Sequence, residues 1–204
     1  MIIKVCGMRR SENIVDVEKL GIDLMGFIFY AKSPRYVSEV PEYMPKTAKK
    51  VGVFVNETIE TVLKISKDYS LDFLQLHGSE TVEYCEKLKS LGHNLIKAFS
   101  ISSAEDVQKA KDYDKCCEMF IFDTKCSSVG GSGVSFDWSL LENYTGNTPF
   151  LLSGGLGLNN IDSIAQFKHP QLAGYDLNST FEVSPAEKDV AKIYEFIKKL
   201  KYDE

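Results

Sequence analysis

The sequence predicts an α/β protein folded as a single (β/α)8 barrel of parallel strands that spans residues 1–204. Eight short apolar runs recur along the chain, and stretches with helical spacing separate most of them. This alternation is typical of a parallel sheet, and about 25 residues per unit is close to the minimum for a strand–helix pair. An open doubly wound sheet is the alternative. A G-x-G-x-x-G turn would be expected there after the first run, where the chain reads CGMRRS.

Each apolar run has the length of a strand and is rich in β-branched or aromatic residues. In chain order the predicted strands are IIKVC, LMGFIF, KVGVFV, DFLQLH, NLIKAF, MFIFD, PFLLSG and AGYDLN.

The segments between the runs carry helix signals. The first, SENIVDVEKLG, has Ser11 as its expected N-cap and ends on Gly21. The second, SEVPEYMPKTA, contains two prolines and predicts only a short or broken helix. The remaining predicted helices are NETIETVLKISKDY, SETVEYCEKLKSLG, SAEDVQKAKDY and DVAKIYEFIKKL.

Composition limits the classes of function. The chain is 44% hydrophobic and 26% charged with a net charge of −5, which disfavours nucleic acid and anionic membranes as partners. No signal peptide or membrane-spanning run is recognised. Five cysteines without a CxxC pair disfavour a disulfide scaffold and the common zinc spacings. A cytoplasmic protein with reduced thiols is expected.

The first run ends on a cysteine that is followed by glycine. Side chains alternate along a strand, so Ile2, Lys4 and Cys6 share one face. A face with a lysine packs poorly against helices, so we expect it to point into the barrel, with Cys6 at the mouth and Gly7 giving room beside it. A structural buried thiol and a reactive thiol both stay open. Lys4 could favour the Cys6 thiolate, or it could instead pair with a carboxylate inside the barrel, which would leave no charge to act on Cys6.

Two further runs end on polar side chains. Asp123 closes MFIFD, where it either caps the next turn or faces Cys6 as a general acid. His77 closes DFLQLH, and no second ligand stands at metal spacing from it. We therefore expect His77 to contact a substrate or a catalytic group.

Three turns late in the chain suit an anionic group. They read SSVGGSG, LSGGLG and LNST. Glycine lets backbone N–H groups approach an anion, and loops after strands seven and eight hold phosphate in many barrels. The loop after the second run, YAKSPRYV, supplies Lys32 and Arg35. An arginine there is either solvated or a planar fork for a carboxylate.

Taken in order, these segments resemble the phosphoribosylanthranilate isomerase family over essentially the whole chain. The resemblance implies a cofactor-free Amadori rearrangement in tryptophan biosynthesis, without a metal site. It would convert N-(5′-phosphoribosyl)anthranilate into 1-(2-carboxyphenylamino)-1-deoxyribulose 5-phosphate. The matching segments are KVCG, FIFYAKSPRYV, VGVFVN, LQLHGSE, the aspartate of MFIFD, GGSGVSFDW, LLSGGLG and DLNSTFE.

The resemblance also implies roles for residues at matching positions. Cys6 would be the base that removes the C2′ proton, and Asp123 the acid that protonates the furanose ring oxygen. Arg35 would bind the anthranilate carboxylate, and Asp176 would contact the ribose. The implied phosphate positions are Gly131, Gly133, Gly154, Gly155, Asn178 and Ser179.

Two rival functions differ in the residues that they need. A metal-dependent pentulose-phosphate epimerase needs His and Asp ligands at several strand ends, and only His77 is available. A barrel that binds a sugar phosphate without turnover would not need both Cys6 and Asp123. The expected partner is a small phosphoribosyl molecule, with no nucleic acid or membrane. A homodimer and an association with other tryptophan-pathway enzymes both stay open.

Overall fold

Eight parallel strands close into a barrel in the computed structural model, which describes residues 1–124 and 138–202. Each strand pairs with the next along the chain, and the first pairs with the eighth to complete the ring. The predicted (β/α)8 barrel is confirmed, and the open sheet is wrong. The strands are β1 (Ile2–Cys6), β2 (Leu24–Ile28), β3 (Lys49–Phe54), β4 (Phe73–Leu76), β5 (Leu95–Ile101), β6 (Met119–Thr124), β7 (Phe150–Ser153) and β8 (Leu172–Leu177).

Helices cover the outside of the barrel. Thr58, Thr81 and Ser103 cap three of them, because each side-chain oxygen accepts a bond from a backbone N–H in the first turn. The proline-containing segment 38–48 forms no helix, whereas its sequence predicted a short or broken one. The helices are α1 (Ser11–Glu18), α2 (Ile59–Tyr69), α3 (Val82–Ser90), α4 (Ala104–Lys109), α5 (Ile161–Gln166) and α6 (Val190–Tyr202).

Two local features differ from the sequence predictions. Ser11 is the first residue of α1 and not its N-cap, which is Arg10. The Ser11 hydroxyl instead accepts a bond from the Tyr43 backbone N–H at 3.1 Å, so it ties α1 to the loop before β3. After β8 the chain forms an unpredicted antiparallel hairpin of β9 (Glu182–Ser184) and β10 (Glu187–Lys188).

The barrel wall has two buried faces. Met119 and Ile121 of β6 belong to a small cluster inside the barrel, whereas Phe120 and Phe122 pack in the larger cluster between wall and helices. Burying an aromatic or aliphatic side chain of this size contributes about 1.5–3 kcal/mol, so the outer layer carries most of the stabilisation. Lys4 shares its strand face with Ile2, which packs on the inner cluster, as the alternation predicts.

Within residues 1–124 and 138–202, the helices are too short or too polar for any of them to cross a membrane.

Candidate active site

A cavity of about 160 Å³ opens at the carboxyl ends of the strands, where barrels carry their chemistry. A larger hollow of about 540 Å³ lies at the opposite end, against Met1 and the start of β8. Only the smaller cavity gathers residues that the sequence singled out. They are Cys6, His77, Asp123, Gly154, Gly155, Asp176, Asn178 and Ser179.

Glycines on two sides make room for Cys6. The cysteine pairs in register with Gly26 of β2, and a Cβ on Gly26 would lie 2.8 Å from the Cys6 Sγ. Gly7 has φ +81°, and a Cβ there would lie 2.6 Å from the Arg35 Cδ. The backbone N–H groups of Gly7 and Met8 both donate to the Gly26 carbonyl. The KVCG segment therefore turns sharply at the mouth of the barrel.

A buried ion pair lies directly beneath the thiol. Lys4 Nζ is 2.8 Å from Asp176 Oδ1, and Lys4 is fully buried. Burial acts to lower the pKa of Lys4, but Asp176 and Cys6 raise it overall, so Lys4 is an ammonium. Burial raises the pKa of the Cys6 thiol, and the Lys4 ammonium opposes that rise. Lys4 thus pairs with a barrel carboxylate, as one of the two alternatives from the sequence has it, and its effect on the Cys6 thiolate stays a prediction.

Asp123 and His77 meet on another side of the cavity. His77 Nε2 is 3.7 Å from Asp123 Oδ2, and each side chain is about one-third exposed. Gln75 Nε2 lies 2.9 Å from His77 Nδ1 and orients the ring. The buried Gln75 Oε1 has no hydrogen-bond partner in the part of the chain that the structure describes. Gln75 lines the cavity, so this oxygen can accept a bond from a bound molecule.

Arg35 is held by a carboxylate that the sequence did not indicate. Its Nε and Nη2 donate to the two carboxylate oxygens of Glu182 at 2.8 and 2.6 Å. Lys188 Nζ donates to the same carboxylate at 2.6 Å and to Asn178 Oδ1 at 2.8 Å. Burial acts to raise the pKa of Glu182, but the bonds from Arg35 and Lys188 lower it overall. Glu182 and Lys188 belong to the hairpin β9–β10. A strand pattern after LNST is the sequence signal that could have indicated them.

The predicted phosphate positions are only partly brought together. Gly154 and Gly155 have φ +85° and +64°, a left-handed backbone that favours glycine, and they line the cavity near Asn178 and Ser179. Gly131 and Gly133 lie outside the described residues.

Lys32, from the loop that supplies Arg35, is exposed and does not line the cavity.

The side chains able to hold a metal ion lie elsewhere. Within residues 1–124 and 138–202, the one set of three His, Cys, Asp or Glu side chains close enough to share an ion is Cys85, Cys116 and Cys117. None of these three cysteines lines the cavity at the mouth.

Comparison with known proteins gives one consistent result. The family model for N-(5′-phosphoribosyl)anthranilate (PRA) isomerase matches residues 3–199. An N-(5′-phosphoribosyl)anthranilate isomerase from Phocaeicola vulgatus is 53% identical over 201 residues, which is 98% of each chain. The crystal structure of phosphoribosyl anthranilate isomerase from Thermotoga maritima aligns with a TM-score of 0.83 at 34% identity, covering 99% of this chain and 100% of that one.

A second solved structure contains a ligand. It is a phosphoribosyl anthranilate isomerase in complex with reduced 1-(o-carboxyphenylamino)-1-deoxyribulose 5-phosphate. It aligns with a TM-score of 0.81 at 32% identity, covering 99% of this chain and 100% of that one.

Proposed function

The chain belongs to the N-(5′-phosphoribosyl)anthranilate isomerase family and is an isomerase of that compound, and we propose that Cys6 and Asp123 move the protons of its reaction. The observation that carries this proposal is that a thiol and a carboxyl group from β1 and β6 line one cavity at the barrel mouth. An Amadori rearrangement needs an acid for one atom and a base for another, and two such groups in one site can supply both.

Asp123 is the acid of the first step. It donates a proton to the furanose ring oxygen, and the bond from C1′ to that oxygen breaks. The lone pair of the anilino nitrogen forms the C=N bond of an open, protonated Schiff base. His77 Nε2 lies 3.7 Å from Asp123 Oδ2 and is placed to return a proton to it.

Cys6 is the base of the second step. Its thiolate removes the C2′ proton, and the electrons move to the iminium nitrogen to give an enolamine. The enolamine then loses its C2′ hydroxyl proton and gains a proton at C1′, which yields the aminoketose 1-(2-carboxyphenylamino)-1-deoxyribulose 5-phosphate. Lys4 favours the thiolate that this step needs, because its ammonium opposes the effect of burial on Cys6.

The remaining polar groups hold the substrate. The glycine turn at Gly154 and Gly155 suits the phosphate, and Gln75 Oε1 suits a ribose hydroxyl. Glu182 occupies the Nε and Nη2 donors of Arg35. The carboxylate of the anthranilate ring therefore binds the remaining donors of the guanidinium group. Alternatively, it displaces Glu182, which would keep its bond to Lys188. A related enzyme crystallised with a carboxyphenylamino ribulose phosphate supports this class of ligand.

The barrel over residues 1–204 acts as a single catalytic domain in the cytoplasm. Four described cysteines are free thiols, which suits a reducing compartment.

The test is loss of turnover in two variants. Cys6→Ala and Asp123→Asn should each lower kcat by about 10²–10⁴, the usual contribution of a positioned base or acid. Consumption of the fluorescent anthranilate substrate measures the rate. Cys85→Ala removes a buried thiol that does not line the cavity, so it serves as the matched control and should keep kcat. Near-normal turnover in Cys6→Ala would remove that residue from the mechanism.

Activity measured in the presence of EDTA separates this proposal from the hypothesis of a metal-dependent pentulose-phosphate epimerase. We expect no loss of activity. Loss that added divalent metal restores would favour a metal-dependent enzyme instead.

A further inference from the structure

Three cysteines that the reaction does not use lie together outside the mouth of the barrel. Cys85 is on α3, and Cys116 and Cys117 precede β6. All three are buried free thiols, and their sulfur atoms lie within 4.8 Å of one another. Chance core cysteines need not converge, so three sulfurs from two separate segments call for a reason.

The spacing of the sulfurs matches a shared ion and does not match a disulfide. A thiolate bond to a metal such as zinc is about 2.3 Å, which places the sulfurs of a planar three-sulfur site about 4.0 Å apart. The Cys116 and Cys117 sulfurs are 3.9 Å apart. A disulfide needs about 2.05 Å and would leave the third thiol unused.

The donor set selects the ion. Within the described residues no histidine or carboxylate joins the three sulfurs. Structural zinc takes four ligands almost without exception, whereas soft thiolates also select Cu(I), which accepts three. We propose that Cys85, Cys116 and Cys117 form a trigonal binding site for a Cu(I) ion.

Binding releases the thiol protons to solvent and leaves a negatively charged complex. The ion would join α3 to the segment before β6 and so clamp the outer layer of the barrel.

The test is a competitive titration of the reduced protein with Cu(I) under anaerobic conditions, with bicinchoninate as the coloured competitor. The wild-type chain should withdraw one equivalent of copper. X-ray absorption should show three sulfur neighbours. Cys85→Ala and Cys117→Ala should withdraw none at the same competitor concentration. Cys6→Ala, which leaves the three thiols in place, should bind as the wild type does.

Thermal unfolding gives a second readout. At a hundredfold excess of free ion over its Kd, copper should raise the unfolding midpoint of the wild type by roughly 5–10 °C, and it should not raise that of Cys85→Ala. Two-sulfur coordination, no withdrawal of copper by the wild type, or binding by Cys85→Ala and Cys117→Ala equal to that of the wild type would overturn the site. If one variant does not fold, the other variant and the sulfur count in the wild type still decide.

Discussion

Two buried lysine–carboxylate pairs lie on opposite faces of the barrel wall. Lys4 and Asp176 meet inside the barrel beneath Cys6, whereas Lys97 and Glu80 meet between the wall and the helices. Both lysines are buried, and each has one carboxylate partner. The two pairs differ in the other groups that each lysine Nζ contacts. This difference distinguishes a lysine whose charge acts on an acid–base group from one whose charge stabilises the fold.

The outer pair is saturated by the backbone. Lys97 Nζ donates to the carbonyl oxygens of Leu76 and Gly78, at 3.1 and 2.8 Å, on either side of His77. The Glu80 carboxylate accepts bonds from the backbone N–H groups of Asn56 and Gly78. This network fixes the loop that carries His77.

The inner pair has fewer partners. Lys4 bonds to Asp176 and interacts with Cys6, so its charge acts directly on the thiol. A lysine with its donors turned to backbone carbonyls holds a loop, whereas one turned to a thiol tunes an acid–base group.

The largest expected effect is on stability at the outer pair. Lys97→Met should lower the free energy of unfolding by about 3–5 kcal/mol, because it leaves the Glu80 carboxylate buried without its cation. Urea unfolding measures this loss. Adding Glu80→Gln to Lys97→Met should cost less than the sum of the single changes. An unchanged urea midpoint would show that Lys97 is not a structural charge.

Arg35 and Glu182 form a third ion pair, which is less buried than the other two. Arg35→Met should weaken substrate binding by about 1.5–3 kcal/mol, roughly 10–150-fold in KM, because a charge-assisted bond to the carboxylate is lost. Steady-state kinetics measure the change. A phosphoribosyl compound without the carboxylate is the control, and its binding should be little affected. Equal losses for both compounds would mean that Arg35 does not bind the carboxylate.

The inner pair is expected to affect how kcat/KM depends on pH. Burial raises the pKa of Cys6 and Lys4 opposes that rise, so kcat/KM should increase with pH as the thiolate forms. In Lys4→Met this rise should move to higher pH. Iodoacetamide labelling of Cys6 against pH, located by peptide mass spectrometry, gives the same comparison without turnover. Identical labelling profiles in Lys4→Met and wild type would remove Lys4 from the mechanism.

The smallest effect is expected at Glu18, a half-buried carboxylate that accepts hydrogen bonds from uncharged donors. Partial burial acts to raise its pKa, but bonds from Tyr43, Thr47 and Ala48 lower it to about 2. Because the folded pKa lies below the unfolded value of about 4.3, the contribution is present above that pH and is lost as the pH falls toward 2. Glu18→Gln should cost about 0.5–1 kcal/mol near pH 7 and flatten this acid limb of the stability curve, measured by urea unfolding. An unaltered acid limb would contradict this role.

Strand periodicity carried most of what the sequence could reveal. Alternation alone placed Lys4 and Cys6 inside the barrel and turned Asp123 and His77 toward the mouth. It could not show that Glu182 holds Arg35, because that pairing joins residues 147 positions apart through an unpredicted hairpin.

The thiol cluster escaped sequence analysis for a related reason. Cys85 is brought to Cys116 and Cys117 by helix packing, which leaves no fixed spacing in the chain. The predicted N-cap at Ser11 was wrong, because the Ser11 hydroxyl accepts a tertiary hydrogen bond from the Tyr43 backbone N–H and not a local bond from its own helix.

The pairing of β1 with β8 gives the inner ion pair a consequence for biosynthesis. Lys4 leaves the ribosome early, and its carboxylate partner Asp176 follows 172 residues later. Until then the first strand carries an ammonium with no counterion, so its burial is unfavourable and the nascent barrel stays open. We expect docking of the last strand to neutralise the charge, close the ring and assemble the mouth in one late, long-range event, so partial chains released before that point should not acquire the site.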